Sequence, residues 1–128
     1  MIMVDIHLRS AERITSVVVS DHAGFAEDGS DLICAAASTL VYTAIGALEE
    51  LCGITGFYRI EDNDDGDSIP FSEITLPETF SDEEKRRTAQ VILQTMRIGF
   101  QQLETAARED YGNQYIRVQQ TMDDKLED

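Results

Sequence analysis

The sequence predicts an α+β fold: an antiparallel-rich sheet packed against two helices, in the order β-β-α-β-β-α-β, as a single domain. Three patterns predict it. Apolar and polar residues alternate at the N-terminus, a long apolar run fills residues 32–48, and a helix-period stripe follows a capping motif at Ser81. A chain of 128 residues suits one domain whose core needs neither disulfide nor metal. Residues 1–119 are expected to form the folded domain, and 120–128 a polar, acidic tail that frays.

Ile2, Val4, Ile6 and Leu8 alternate with Met3, Asp5, His7 and Arg9, the period of a half-buried strand. Ser10-Ala11-Glu12 is a short connection, and Ile14 to Ser20, rich in β-branched residues, is the second strand of an antiparallel hairpin. Asp31 or Ser30 can cap a helix that runs to about Leu51 and stops at Gly53. Apolar residues lie nearly all round this helix, so it is expected to be central and covered on most sides. Phe57 to Ile60 and Ile69 to Leu76 form two strands joined by the acidic loop Glu61 to Asp67. Ser81 and Glu84 have capping-box spacing for a second helix, whose apolar stripe is Ile92, Met96, Phe100, Leu103 and Ala107 and whose end is marked by Gly112. Gln114 to Val118 makes the last strand.

Charge narrows the range of partners. Against 10 basic residues stand 25 acidic ones, a net charge of −15, which repels nucleic acid and anionic lipid and favours encounter with a basic protein. The apolar run Leu32 to Leu48 is broken by Ser38, Thr39, Thr43 and Gly46, which suits a core helix better than a membrane span. With no basic segment leading into an apolar one at the start, the expectation is a cytoplasmic protein. The two cysteines, Cys34 and Cys52, fall on one predicted helix and roughly 27 Å apart, far too distant for a disulfide. Both are expected to be free thiols.

Chemistry concentrates in Asp21 to Ser38, which sets His22 and Cys34 either side of a Gly-containing loop. With Asp31 as cap, Cys34 is third into the helix, where unpaired N–H groups and the positive dipole end favour a thiolate. A small buried hydrophobe is the competing reading of a helical Cys. Company favours chemistry: His22 closes a strand facing the helix start, while Asp31 and Ser38 share the helix face of Cys34. The loop Ala23 to Ser30, with Gly24 and Gly29 as hinges, can close over a substrate, and its Phe25 either contacts an apolar substrate side chain or pins the loop to the core. His7 pairs across the hairpin near Thr15, roughly 23 Å of strand from His22, so no two-His metal site follows. Glu61, Asn63, Asp65 and Gly66 are superficially like a calcium loop, but Ser72 stands where that pattern needs a glutamate. Neither metal nor cofactor is expected.

His22-Ala23, then Gly29, Asp31-Leu32-Ile33-Cys34-Ala35-Ala36 and Ser38 resemble the signature of the ribosomal-processing cysteine proteases, the Prp family. The resemblance implies a small cytoplasmic homodimer that removes a short N-terminal extension from protein twenty-seven of the large ribosomal subunit, cutting after an aromatic-rich apolar sequence. It implies Cys34 as nucleophile, His22 as its base, and Asp31 and Ser38 as supporting residues. One position departs: where the family carries Gly before the histidine, this chain has Asp21, a residue that tolerates positive φ and whose carboxylate favours a protonated imidazole. Two further readings stay open, a non-enzymatic acidic module that docks a basic ribosomal partner, and a thiol hydrolase acting on a small ester or amide.

Overall fold

The computed structural model describes residues 1–21, 30–61, 71–113 and 115–123, with the backbone alone for Ser30 and Asp31. Its alternating N-terminal residues form β1 (Ile2–Ser10), which pairs antiparallel with β2 (Arg13–Asp21). Ile2, Val4, Ile6 and Leu8 are buried on one face of β1, while Met3, Asp5 and His7 occupy the half-exposed other face. Burial of each such aliphatic side chain contributes about 1.5–3 kcal/mol. The chain continues through α1 (Ser30–Cys52), β3 (Tyr58–Glu61), β4 (Phe71–Thr75), α2 (Glu83–Tyr111) and β5 (Ile116–Met122). The strands make one five-stranded sheet in the order β3-β4-β2-β1-β5. All pairings are antiparallel except β1 with β5, which run parallel.

This matches the expected class and element order, with differences that have physical reasons. Strand β5 extends to Met122, and the Asp123 N–H bonds the Leu8 carbonyl at 2.8 Å. The boundary expected after residue 119 therefore falls inside a strand, because β1 offers β5 a full-length edge to pair with. Residues 124–128 lie outside the described residues, as do 62–70, which hold most of the acidic loop. Helix α2 is capped by Asp82 rather than Ser81: its Oδ1 accepts the Lys85 N–H at 2.8 Å. Gly112 ends α2 at φ 98°, a conformation L side chains rarely adopt.

The two helices lie antiparallel. The Cys52 thiol donates to the Lys85 carbonyl at 3.5 Å, joining the end of α1 to the start of α2. Further along, a Cβ built on Gly99 would stand only 2.7 Å from Leu40 Cδ2, so glycine lets the helices approach closely there. Ile33, Ala37, Val41, Ala44, Ile45, Leu48 and Cys52 of α1 meet Ala89, Leu93, Met96 and Phe100 of α2 in a core shared with the sheet.

The expectation that α1 is covered on most sides is corrected. Leu32, Tyr42 and Leu51 are 67%, 54% and 61% exposed. In two layers, a helix has the sheet and its neighbour beside it and no described element outside it.

Candidate active site

Helix polarity decides which end of the domain carries the chemistry. Because α1 ends where α2 begins, its first turn lies at the end where α2 stops. From Gly112 only a few residues lead to Ile116, which pairs with Ile2, and Ile2 in turn pairs with Asp21 at the end of β2. The Ile2 N–H bonds the Tyr115 carbonyl at 2.8 Å and fixes this corner. Thus Cys34 and the strand end that leads into His22 belong to the same end of the molecule.

Cys34 is half-buried against the core and is not in a disulfide. Helix α1 starts at Ser30, so Cys34 is its fifth residue rather than the third. This corrects two readings together. Asp31 is helical, not the cap, and the Cys34 N–H falls within the i→i−4 ladder, where its partner is the Ser30 carbonyl. Only N–H groups earlier in α1 remain unpaired within the helix, so oxyanion donation from helix backbone would come from residues before Cys34. Ser38 is half-buried one turn beyond Cys34, on the same face.

His22, Gly24, Phe25 and Gly29 lie outside the described residues, as does the side chain of Asp31. Asp21, directly before His22, is described. It sits at the end of β2, and its Oδ1 accepts from the Met1 ammonium at 3.4 Å. No non-glycine residue among those described has positive φ, so Asp21 fills the family's glycine position in ordinary strand backbone. Its carboxylate is anchored to the chain start, a contact the sequence reading missed. Hairpin register could have revealed it, since pairing β1 with β2 about Ala11 brings Asp21 opposite Ile2.

The remaining candidates separate from this corner. His7 pairs with Ser16, well down β2, and its Nε2 lies 3.4 Å from Asp5 Oδ2 on the open sheet face. Cys52 is 2% exposed at the far end of α1, and burial pushes its thiol pKa above 9.0, with Lys85 acting in the opposite direction.

The chain is similar to proteins of one family. The profile of the family described as cysteine protease Prp matches residues 1–114. The ribosomal processing cysteine protease Prp of Staphylococcus aureus (strain Mu50 / ATCC 700699) is 35% identical over 118 residues, covering 92% of this chain and 97% of the relative. The crystal structure of the essential ribosomal processing protease Prp from S. aureus with a substrate peptide superposes with TM-score 0.60 at 30% identity, over 94% of this chain and 100% of that one. A second structure of that protease, with a covalently linked product peptide, gives TM-score 0.58 at 33% identity over the same shares.

Proposed function

This chain belongs to the Prp family of cysteine proteases, and from that premise we propose that it is a ribosomal processing endopeptidase with Cys34 as nucleophile and His22 as base. Its substrate in this reading is the precursor of large-subunit ribosomal protein twenty-seven, from which it removes the short N-terminal extension. His22 takes the Cys34 proton, and Sγ attacks the scissile carbonyl carbon. The tetrahedral intermediate collapses to a thioester as the imidazolium protonates the departing amine, and water, deprotonated by His22, then releases the acid and the thiol. Asp31 and Ser38 support the dyad, and the loop with Gly24, Phe25 and Gly29 covers the substrate.

The observation that carries the reading is Cys34 itself, a half-buried cysteine outside any disulfide, one turn into α1 at the end of the domain where β2 leads into His22. A covalently linked product peptide on the S. aureus relative supports a covalent step. The net charge of −15 suits a basic ribosomal protein as substrate. We place the enzyme in the cytoplasm, where such a precursor is made, and read it as a homodimer, for which the exposed Leu32, Tyr42 and Leu51 of α1 offer apolar surface.

Incubating purified precursor with wild type, Cys34→Ala and His22→Ala tests the proposal. Wild type is expected to shorten the precursor at one site and both variants to leave it intact. Cleavage by Cys34→Ala, or binding without cleavage by wild type, would sink it; the latter would favour the acidic docking module.

A further inference from the structure

At the end of the domain away from Cys34, β1 and β2 turn, β4 stops and α2 begins. A cavity of about 240 Å³ opens there. From Asp21 back to Arg13, β2 spans about 26 Å, so this cavity is well separated from the corner that carries Cys34.

Its walls have specific causes. The register of β1 on β2 slips between His7 and Leu8, leaving Thr15 as an extra residue in β2. The Thr15 hydroxyl donates to the His7 carbonyl at 3.2 Å, and the Thr15 carbonyl accepts the Leu76 N–H at 3.0 Å. Gln90 of α2 clamps the neighbouring peptide: its side chain accepts from the Ile14 N–H at 2.9 Å and donates to the Ile14 carbonyl at 2.7 Å. The cavity is therefore a built feature joining sheet to helix.

Its lining departs from the charge of the rest of the chain. Arg9, Arg13 and Arg86 all face it, in a protein with only 10 basic residues against 25 acidic ones. Arg9 and Arg13 make no ion pair with any described residue. Arg86 uses Nε and Nη2 on Glu83, each at 3.2 Å, and Nη1 takes part in neither bond. Glu78 and Asp123 also line the cavity but are paired with none of these arginines among the described residues. Ile14, Leu76, Pro77 and Phe80 supply apolar wall, and Thr15, Ser16 and Thr75 supply hydroxyl-bearing residues.

We propose that this cavity binds a small phosphate monoester. Three arginines lining one cavity supply the charge and the planar donors that a dianionic phosphate takes. The apolar wall suits an organic body. A volume below the roughly 300–1,000 Å³ usual for drug-sized ligands limits that body to a small one. The acidic surface beyond the cavity repels a long polyanion, which favours a discrete ligand over RNA. This site is independent of the processing reaction, and its test does not depend on cleavage.

Titrating isotope-labelled full-length protein with phenyl phosphate, followed by amide NMR shifts, tests it. The expected shifts fall on Ile14, Thr15, Ser16, Thr75 and the Gln90 side-chain amide, with Kd in about the low-millimolar range or tighter. The double variant Arg9→Gln/Arg13→Gln should weaken binding about tenfold or more, whereas Arg59→Gln, on β3, should bind like wild type. Shifts confined to the Cys34 corner, equal loss in Arg59→Gln, or phenylacetate binding as tightly as phenyl phosphate would overturn the proposal. Tighter binding of a uridine oligonucleotide at these same amides would overturn it as well. The wild-type shift map decides the matter even where the double variant does not fold.

Discussion

Cys34 and Cys52 stand near opposite ends of one helix and show how far position outweighs residue type. Cys34 is half-buried, one turn in from the start of α1, at the end of the domain where β2 finishes at Asp21. Cys52 is 2% exposed, donates its S–H to the Lys85 carbonyl, and is held as a neutral thiol by its burial. A thiol at the open end of a helix can meet a base and a substrate, whereas one at the joint between two helices serves as a small hydrophobe with a single hydrogen bond. The contrast fits the proposed role of Cys34 as nucleophile and leaves Cys52 to packing.

The widest separation should appear in catalysis. Cys34→Ala is expected to lower precursor cleavage about 10³-fold or more, and Cys52→Ala to leave its rate within about twofold at a temperature where the variant is folded. Comparable losses in the two variants would break the contrast. Thiol chemistry offers the next test. At neutral pH iodoacetamide should label Cys34 roughly 10²-fold faster than Cys52, because Cys52 reacts only when the helix joint opens. Peptide mapping of labelled protein against time reads the ratio, and near-equal rates would show that Cys34 is as inert as its partner.

How much of this was legible in sequence depends on what each residue reports. Alternation in Ile2 to Leu8 and the β-branched run after Ile14 announce the hairpin because strand burial has a period of two. Parallel pairing of β5 on β1 was not legible, since it depends on where α2 delivers the chain and no local pattern records that. Cap residues misled at both helices: Ser81 and Asp31 have capping chemistry, yet α2 begins after Asp82 and α1 at Ser30. Where several polar residues adjoin a helix start, the sequence pattern fixes its boundary only to within a residue or two. The spacing of Cys34 from His22 pointed to the family the chain belongs to, whereas the Asp21–Met1 contact required the hairpin's register. The Arg9–Arg13–Arg86 cavity could not be read, because a bulge at Thr15 and a helix start far along the chain together create it.

Stability separates the cysteines in the opposite sense from catalysis. Cys52→Ala removes a buried sulfur and its bond to Lys85, and should cost about 1–2 kcal/mol. Cys34→Ala, at a half-buried position, should cost less. Urea unfolding of both variants checks the order, and a larger loss for Cys34→Ala would reverse the structural assignment.

The smallest effect is the most specific to Cys52. Burial raises its folded pKa above the ordinary 9.0, so the folded state holds its proton after the unfolded state has released its own. The unfolded chain then binds fewer protons, and stability falls as pH rises from about 9 toward the folded pKa. Below that window the stabilising contribution of the protonated thiol is fully present. Wild type should therefore lose stability between about pH 8 and about pH 10 more steeply than Cys52→Ala, and the difference between the two slopes isolates this thiol from every other group that titrates there. Parallel slopes would mean that the Lys85 ammonium offsets the effect of burial on Cys52.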